Sequence, residues 1–327
     1  MKNRMFVALI ALMALILAAP ASAQQLFPEA EEFLNPEGRS KIKPSTFNFL
    51  KVTTNARIAG MGDAFTAVSD GMDGIVWNPA GLTRVNKFGY NFGYTQWLID
   101  SKFVTGSVAY NTDGWGVIGV SFVNFSLPDM VETTTLQPDG TGQKVDSGDL
   151  AVGLVYAYQL TDKLSAAATL RFIQSTLGPE TLSAISVNVS TLMNTGFRSL
   201  RIGMNMKNLG GEQEIVSEKS EMPLVFHTGV AMEVLGNLGE PVSLTGSFEG
   251  AFFTDREQRW NLGGELWLKN MVALRAGYKF KYDVEAWSIG GGLKGTFGGR
   301  SVAIDVSYSD FGGLLDAPLR LSFSGAF

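Results

Sequence analysis

The chain of 327 residues is 45% hydrophobic and only 17% charged, with 38 glycines, no cysteine, one histidine and a formal net charge of −5. A typical soluble domain is roughly 25% charged and about 7% glycine, and glycine weakens helices, so an ordinary soluble helical protein is disfavoured. The missing cysteines exclude disulfides, thiolate metal sites, thiol nucleophiles and a lipid-anchoring cysteine, and the acidic balance argues against nucleic acid as a partner.

Residues 1–23 read as a secretory signal. Lys2 and Arg4 form its positive start, 7–18 its apolar core and Ala21-Ser22-Ala23 its small-residue cleavage site. Cleavage near Ala23 is expected to leave Gln24 first and to send the chain out of the bacterial cytoplasm. Nothing after it approaches the roughly 20 apolar residues of a spanning helix. Residues 24–54, broken by Pro28, Pro36 and Pro44, read as a periplasmic arm.

The stretch 55–82, NARIAGMGDAFTAVSDGMDGIVWNPAGL, is dominated by small residues and closes on the turn Asn78-Pro79-Ala80-Gly81. Its periodicity predicts a short helix over 59–69, with Met61, Ala64, Phe65 and Val68 on one face, ended by turn chemistry at Asp70-Gly71. A helix so short and glycine-rich does not persist alone in water. It needs a wall, so we read 55–85 as a plug, or hatch, inside a barrel lumen, with Trp77 anchoring the Asn-Pro turn. Asp63, Asp70 and Asp73 lack the spacing of a calcium loop and are assigned to turn capping.

From Lys87 onward the period is two. Phe88, Tyr90, Phe92 and Tyr94 alternate with Gly89, Asn91 and Gly93, and Ile304, Val306 and Tyr308 alternate with Asp305, Ser307 and Ser309. Apolar residues facing lipid and small or polar ones facing a lumen make the dyad of a transmembrane β-barrel. The expected fold is therefore all-β: an antiparallel transmembrane barrel over 86–327 of about 14 strands, each near the roughly 9–11 residues a bilayer requires. The segments are 86–98, 100–111, 114–126, 147–160, 163–176, 180–193, 197–209, 222–236, 240–252, 257–269, 271–282, 284–297, 300–310 and 317–327. If the first strand rises from the periplasm, the even connections are short, as periplasmic turns should be, and 127–146, 210–221 and 309–316 are long outer loops. The tight connection near Ile99 is an exception.

Parity also pairs charges. Leu262, Leu266 and Leu268 face out before the turn at Lys269-Asn270, and Val272, Leu274 and Tyr278 face out after it. These facings survive only if Leu268 opposes Val272. That register sets Glu265 opposite Arg275, both inward, as an expected lumenal ion pair whose single deletions hurt more than the double. Glu249, Lys279, Lys294, Asp305 and Arg320 share the inward parity, best read as ion pairs filling a narrow barrel.

Catalytic machinery is not evident. His227 faces inward, with no activated serine marked out beside it, and no GxxxxGK[ST] loop exists. No enzyme activity, cofactor or metal is expected. Gly290-Gly291-Gly292 lies inside a strand pattern and reads as permitting close packing. Trp97, Trp260, Trp267, Trp287 and Tyr308, near strand ends, suit interfacial girdles; Trp267 has inward parity and is a candidate to pack on the plug instead. The last segment alternates cleanly through Phe323 to Phe327, like the C-terminal signal read by the barrel-assembly machinery.

Two stretches carry a resemblance. The first is Ala56-Arg57, Gly60-Met61-Gly62, Ala64-Phe65, Ala67, Asp70 and Trp77-Asn78-Pro79-Ala80-Gly81-Leu82. The second is Thr195-Gly196-Phe197-Arg198-Ser199-Leu200-Arg201-Ile202-Gly203-Met204-Asn205-Met206-Lys207-Asn208-Leu209-Gly210. Together they resemble the PorV/PorQ family of the FadL-like outer-membrane barrels. The resemblance implies a fourteen-stranded barrel with an N-terminal hatch, here a monomer in outer-membrane lipid. It offers two roles: handling secreted cargo proteins beside the subunits of a type IX secretion system, or, as the alternative, passive transport of hydrophobic small molecules. The inward positions, mostly small, polar or charged, lack the apolar lining that such molecules favour. The long polar loop 127–146 is the expected partner surface.

Overall fold

The computed structural model describes residues 45–327, except 129, 146, 212, 216, 217 and 314 and the side chains of 213–215, 218 and 219. The signal segment 1–23, its cleavage site and residues 24–44 of the arm lie outside the described residues.

Among the described residues, fourteen strands close into one antiparallel barrel. They are β1 (Phe88–Gln96), β2 (Lys102–Asn111), β3 (Val117–Ser126), β4 (Ser147–Gln159), β5 (Leu164–Leu177), β6 (Glu180–Asn194) and β7 (Arg201–Leu209). The second half comprises β8 (Val225–Leu235), β9 (Val242–Phe253), β10 (Arg259–Leu268), β11 (Val272–Phe280), β12 (Trp287–Phe297), β13 (Arg300–Ser309) and β14 (Leu319–Ala326). Each expected segment holds one strand, overrun by a single residue at Leu177, Asn194 and Phe253. Each strand pairs with its sequence neighbour, and β14 closes on β1 with Phe323 opposite Phe92. Closure leaves no strand edge unpaired, which is what lets strands cross a bilayer whose core offers the backbone no hydrogen bonds.

The alternation becomes two surfaces. On β1, Phe92 and Tyr94 face out while Asn91 and Thr95 are buried in the lumen; on β13, Ile304 and Val306 face out while Asp305 and Ser307 are buried. Leu268 opposes Val272 and Glu265 opposes Arg275, the register that parity requires. The 269–271 turn holds it, with Lys269 and Asn270 both at positive φ.

One barrel end carries only short turns and the closing contact, where Phe88 donates to the Phe327 carbonyl at 2.8 Å and accepts from its amide at 2.9 Å. Strand parity makes this the periplasmic end. The other end carries the long connections and two short ribbons, Met130–Val131 with Lys144–Val145 and Gln213–Ile215 with Glu218–Ser220.

The expected periplasmic arm is corrected for its described residues. Thr46 donates to the Glu221 carbonyl at 3.1 Å, Ser45 Oγ bonds Asp255 at 2.7 Å, and Lys51 pairs with Asp255. Glu221 and Asp255 lie in the β7–β8 and β9–β10 connections, at the outer end. The described chain thus starts at the outer end and descends through the lumen to β1 at the periplasmic end. Polarity and prolines mark 24–54 as non-strand, but carry no information on which end it occupies.

Candidate functional site

The site is the filled lumen. The helix predicted over 59–69 is instead α1 (Ala56–Gly60), capped by Asn55, whose side chain accepts from the Arg57 and Ile58 amides at 2.9 and 3.2 Å. The helix cannot continue because Gly62 and Asp63 both take positive φ. Beyond them, the Phe65 and Thr66 amides, which a helix would turn toward its own carbonyls, donate instead to Glu249 Oε2 at 2.9 and 2.7 Å. A buried carboxylate from the wall outcompetes local helix periodicity.

α1 lies against β11, β12, β13 and β14. Its small residues permit the approach: a Cβ placed on Gly62 would lie 2.9 Å from the Tyr278 amide nitrogen, and one placed on Gly290 would lie 3.1 Å from Gly60 Cα. The 3-10 turn Met72–Val76 packs on β1, β2, β3 and β14, and Pro79–Arg84 packs on β4, β5 and β6. The plug therefore touches most of the circumference.

Arg57, the plug's buried cation, fastens it electrostatically. Its Nε and Nη2 donate to the two oxygens of Glu265 at 2.8 and 2.7 Å, and its Nη1 reaches Asp70 at 2.7 Å and Asp73 at 3.3 Å. Burial works against this charge, yet Asp70, Glu265 and Asp73 outweigh it and hold the guanidinium well above its ordinary pKa. Glu265 also accepts from Arg275 Nε at 2.6 Å, and Arg275 Nη1 bonds Asp305 at 2.6 Å. The expected Glu265–Arg275 pair is present, but as one link of a chain that runs from plug to wall. Asp63 is held by Lys279 at 2.6 Å, and Lys279 also pairs with Glu285. The three plug aspartates thus bind cations rather than serving mainly as turn caps. Sequence spacing cannot show that Asp63 meets Lys279, 216 residues away, or that Asp70 and Asp73 fold back onto Arg57. At the outer end Lys51 is held below its ordinary pKa by burial, which its pairing with Asp255 only partly offsets.

The two resemblance stretches meet at Trp77. Its indole donates to Thr66 Oγ1 at 3.1 Å, its carbonyl accepts from Asn205, and Lys207 Nζ lies 4.1 Å from its ring centroid. Gly203 faces the Thr66 carbonyl, leaving no room for a side chain. Asn78 is fully buried, donating to the Thr66 and Thr191 carbonyls at 2.7 and 3.1 Å and accepting from the Ala80 amide at 3.2 Å. Pro79, Ala80 and Gly81 follow it, all buried. His227 packs 5.1 Å from Trp77 and bonds Glu249 at 2.8 Å.

Glu249 is therefore the second fastening point, which inward parity marked as charged without showing its role. Glu249→Ala is expected to destabilise the protein by about 3 kcal/mol, because two buried amides lose their acceptor at about 1–3 kcal/mol each. The urea midpoint in detergent checks it, and an unchanged midpoint would remove Glu249 from the plug's support.

The aromatic girdle needs one correction. Trp287 and Tyr308 pack at a tilt on the outer face at 5.7 Å, and Trp260 stacks on Phe248 at 5.5 Å. Trp97, however, packs edge-on against buried Phe103 and Phe311 at 6.1 and 5.6 Å, with the Arg320 guanidinium 5.4 Å from its ring. It closes the outer lumen rather than meeting lipid. Trp267 is buried, with Arg275 and Lys294 over its ring at 5.6 and 5.8 Å.

Closed strands, an apolar outer belt and a bonded plug define a plugged outer-membrane β-barrel. The family model of the type IX secretion system protein PorV matches residues 36–208, more than half of the chain, and the chain belongs to that family. No curated protein matches it by sequence. Among solved structures it is similar to the toluene transporter TbuX of Ralstonia pickettii, at 12% identity and TM-score 0.57 over 85% of this chain and 99% of that one. It is similar to the toluene transporter TodX of Pseudomonas putida at 11% identity and TM-score 0.56, over 88% and 98%. A FadL homologue of Pseudomonas aeruginosa matches at 9% identity and TM-score 0.54, over 84% and 98%. At such identities the likeness is one of fold.

Proposed function

We propose that this barrel is a cargo-handling or scaffold component of type IX secretion, reaching the outer membrane after cleavage near Ala23 and acting as a monomeric barrel without cofactor or catalysis. The observation that carries the reading, beside the family match, is the filled lumen. Charged residues of the plug are bonded to charged residues of the wall, which suits a support that works through its outer surface. The loop 127–146 is the proposed contact for secreted proteins and translocon subunits. It folds partly into a ribbon and presents Val131 and Leu136 to solvent, the latter 92% exposed. Apolar side chains held out on a folded loop suit a protein partner.

A photo-reactive residue at Leu136 in native outer membranes is expected to capture secreted proteins or translocon subunits. Capture of neither, with hydrocarbon or lipid copurifying in the barrel, would favour the alternative of passive transport of hydrophobic compounds. The resemblance of the fold to the toluene transporters supports that alternative; the polar, charged lumen weighs against it.

A further inference from the structure

Arg171, on β5, is buried, with 6% of its surface exposed. Its neighbours across the sheet are Gly153 on β4 and Ser186 on β6, neither of them charged. Among the described residues its one hydrogen bond is to Asn208 Oδ1, at the long distance of 3.5 Å. No carboxylate there lies near enough to act on it. Arg57, Arg201 and Arg275, by contrast, each meet a carboxylate at 2.6 or 2.7 Å.

Burying a charge without a counter-charge is costly, and an arginine cannot relieve the cost by losing its proton. Arg171 lines a cavity of about 30 Å³, shared with Thr53, Thr54, Trp77, Val123 and Lys207. Two cations and no carboxylate stand on its wall. The two cations repel one another, and Asp63 and Glu249, which attract Lys207, do not act on Arg171. An anion in the cavity supplies the missing charge, and its attraction is strong because the surroundings are dry. Size selects the anion. A water needs roughly 10–15 Å³ of such space, so the cavity suits a single ion little larger than water, a halide rather than a phosphate.

We propose that this cavity holds a halide, chloride in the cell, against the Arg171 guanidinium, where it is that residue's counter-charge and ties the 49–55 segment and Trp77 to β5. The site does not rest on the secretion reading, since it concerns only the purified barrel. Crystals of the protein, purified from outer membranes in detergent and grown in sodium bromide, test it. An anomalous bromine peak in contact with the Arg171 guanidinium is expected. In solution at constant ionic strength, replacing gluconate by chloride should raise the denaturation midpoint to a plateau. Arg171→Met should raise the half-saturating chloride concentration at least about tenfold, as the loss of one charge-assisted hydrogen bond implies. The proposal is overturned by a map without bromine at Arg171, a peak at the protein surface alone being an adventitious ion only. A midpoint that climbs without saturating, or an unchanged half-saturation in the variant, overturns it too. The wild-type map decides the matter even if Arg171→Met folds poorly.

Discussion

Arg57→Met is expected to lower stability by about 3–5 kcal/mol, the cost of removing one partner from a buried ion pair, and to loosen the plug. Glu265, Asp70 and Asp73 converge on this one guanidinium. Without it, the carboxylates face one another with only Arg275 nearby, and that cation is already shared with Asp305. The denaturation midpoint in detergent should fall, and ion conductance of the reconstituted barrel should rise as the plug shifts. Wild-type values for both would mean that close packing, not charge, holds the plug. The same chain of ion pairs revises the expectation for Glu265 and Arg275. Removing both limits the harm less than an isolated pair would allow, because Asp305 then loses its cation.

Gly277→Val should be of similar severity by a different mechanism. A Cβ at Gly277 would run into the backbone amide of Gly62, which is itself fixed at a φ of +62°. Both sides of the contact are backbone, so neither can swing away. The insertion is expected to cost about 3 kcal/mol, the upper part of the usual overpacking range. The barrel's own hydrogen bonds are untouched, so strands should still form while the plug is displaced. Raised conductance with retained β circular dichroism is the expected result. Unchanged conductance and midpoint would show that α1 can retreat from β11.

Arg57 and Gly277 differ in how far they were legible in the amino-acid order. Strand number, facing and the Glu265–Arg275 register follow from alternation alone, because a period of two leaves a side chain only two directions. The tight turn at Lys269-Asn270 then leaves one register that keeps leucines toward lipid. The plug was legible as a segment that could not stand alone, and its Asn78 turn as a fixed point. Its internal conformation was not. Met61, Ala64, Phe65 and Val68 carry helical spacing, yet the Phe65 and Thr66 amides belong to Glu249, a partner 184 and 183 residues away.

The tertiary structure alone decided three further matters: that Asp63, Asp70 and Asp73 hold cations, that Trp97 seals the outer lumen, and that residues 45–51 lie at the outer end. Each depends on which residues of the wall, or of the plug folded inside it, the closed barrel brings together. Local periodicity sets the direction of a side chain within its own element, but barrel closure sets what it meets, and closure is a property of the whole sheet.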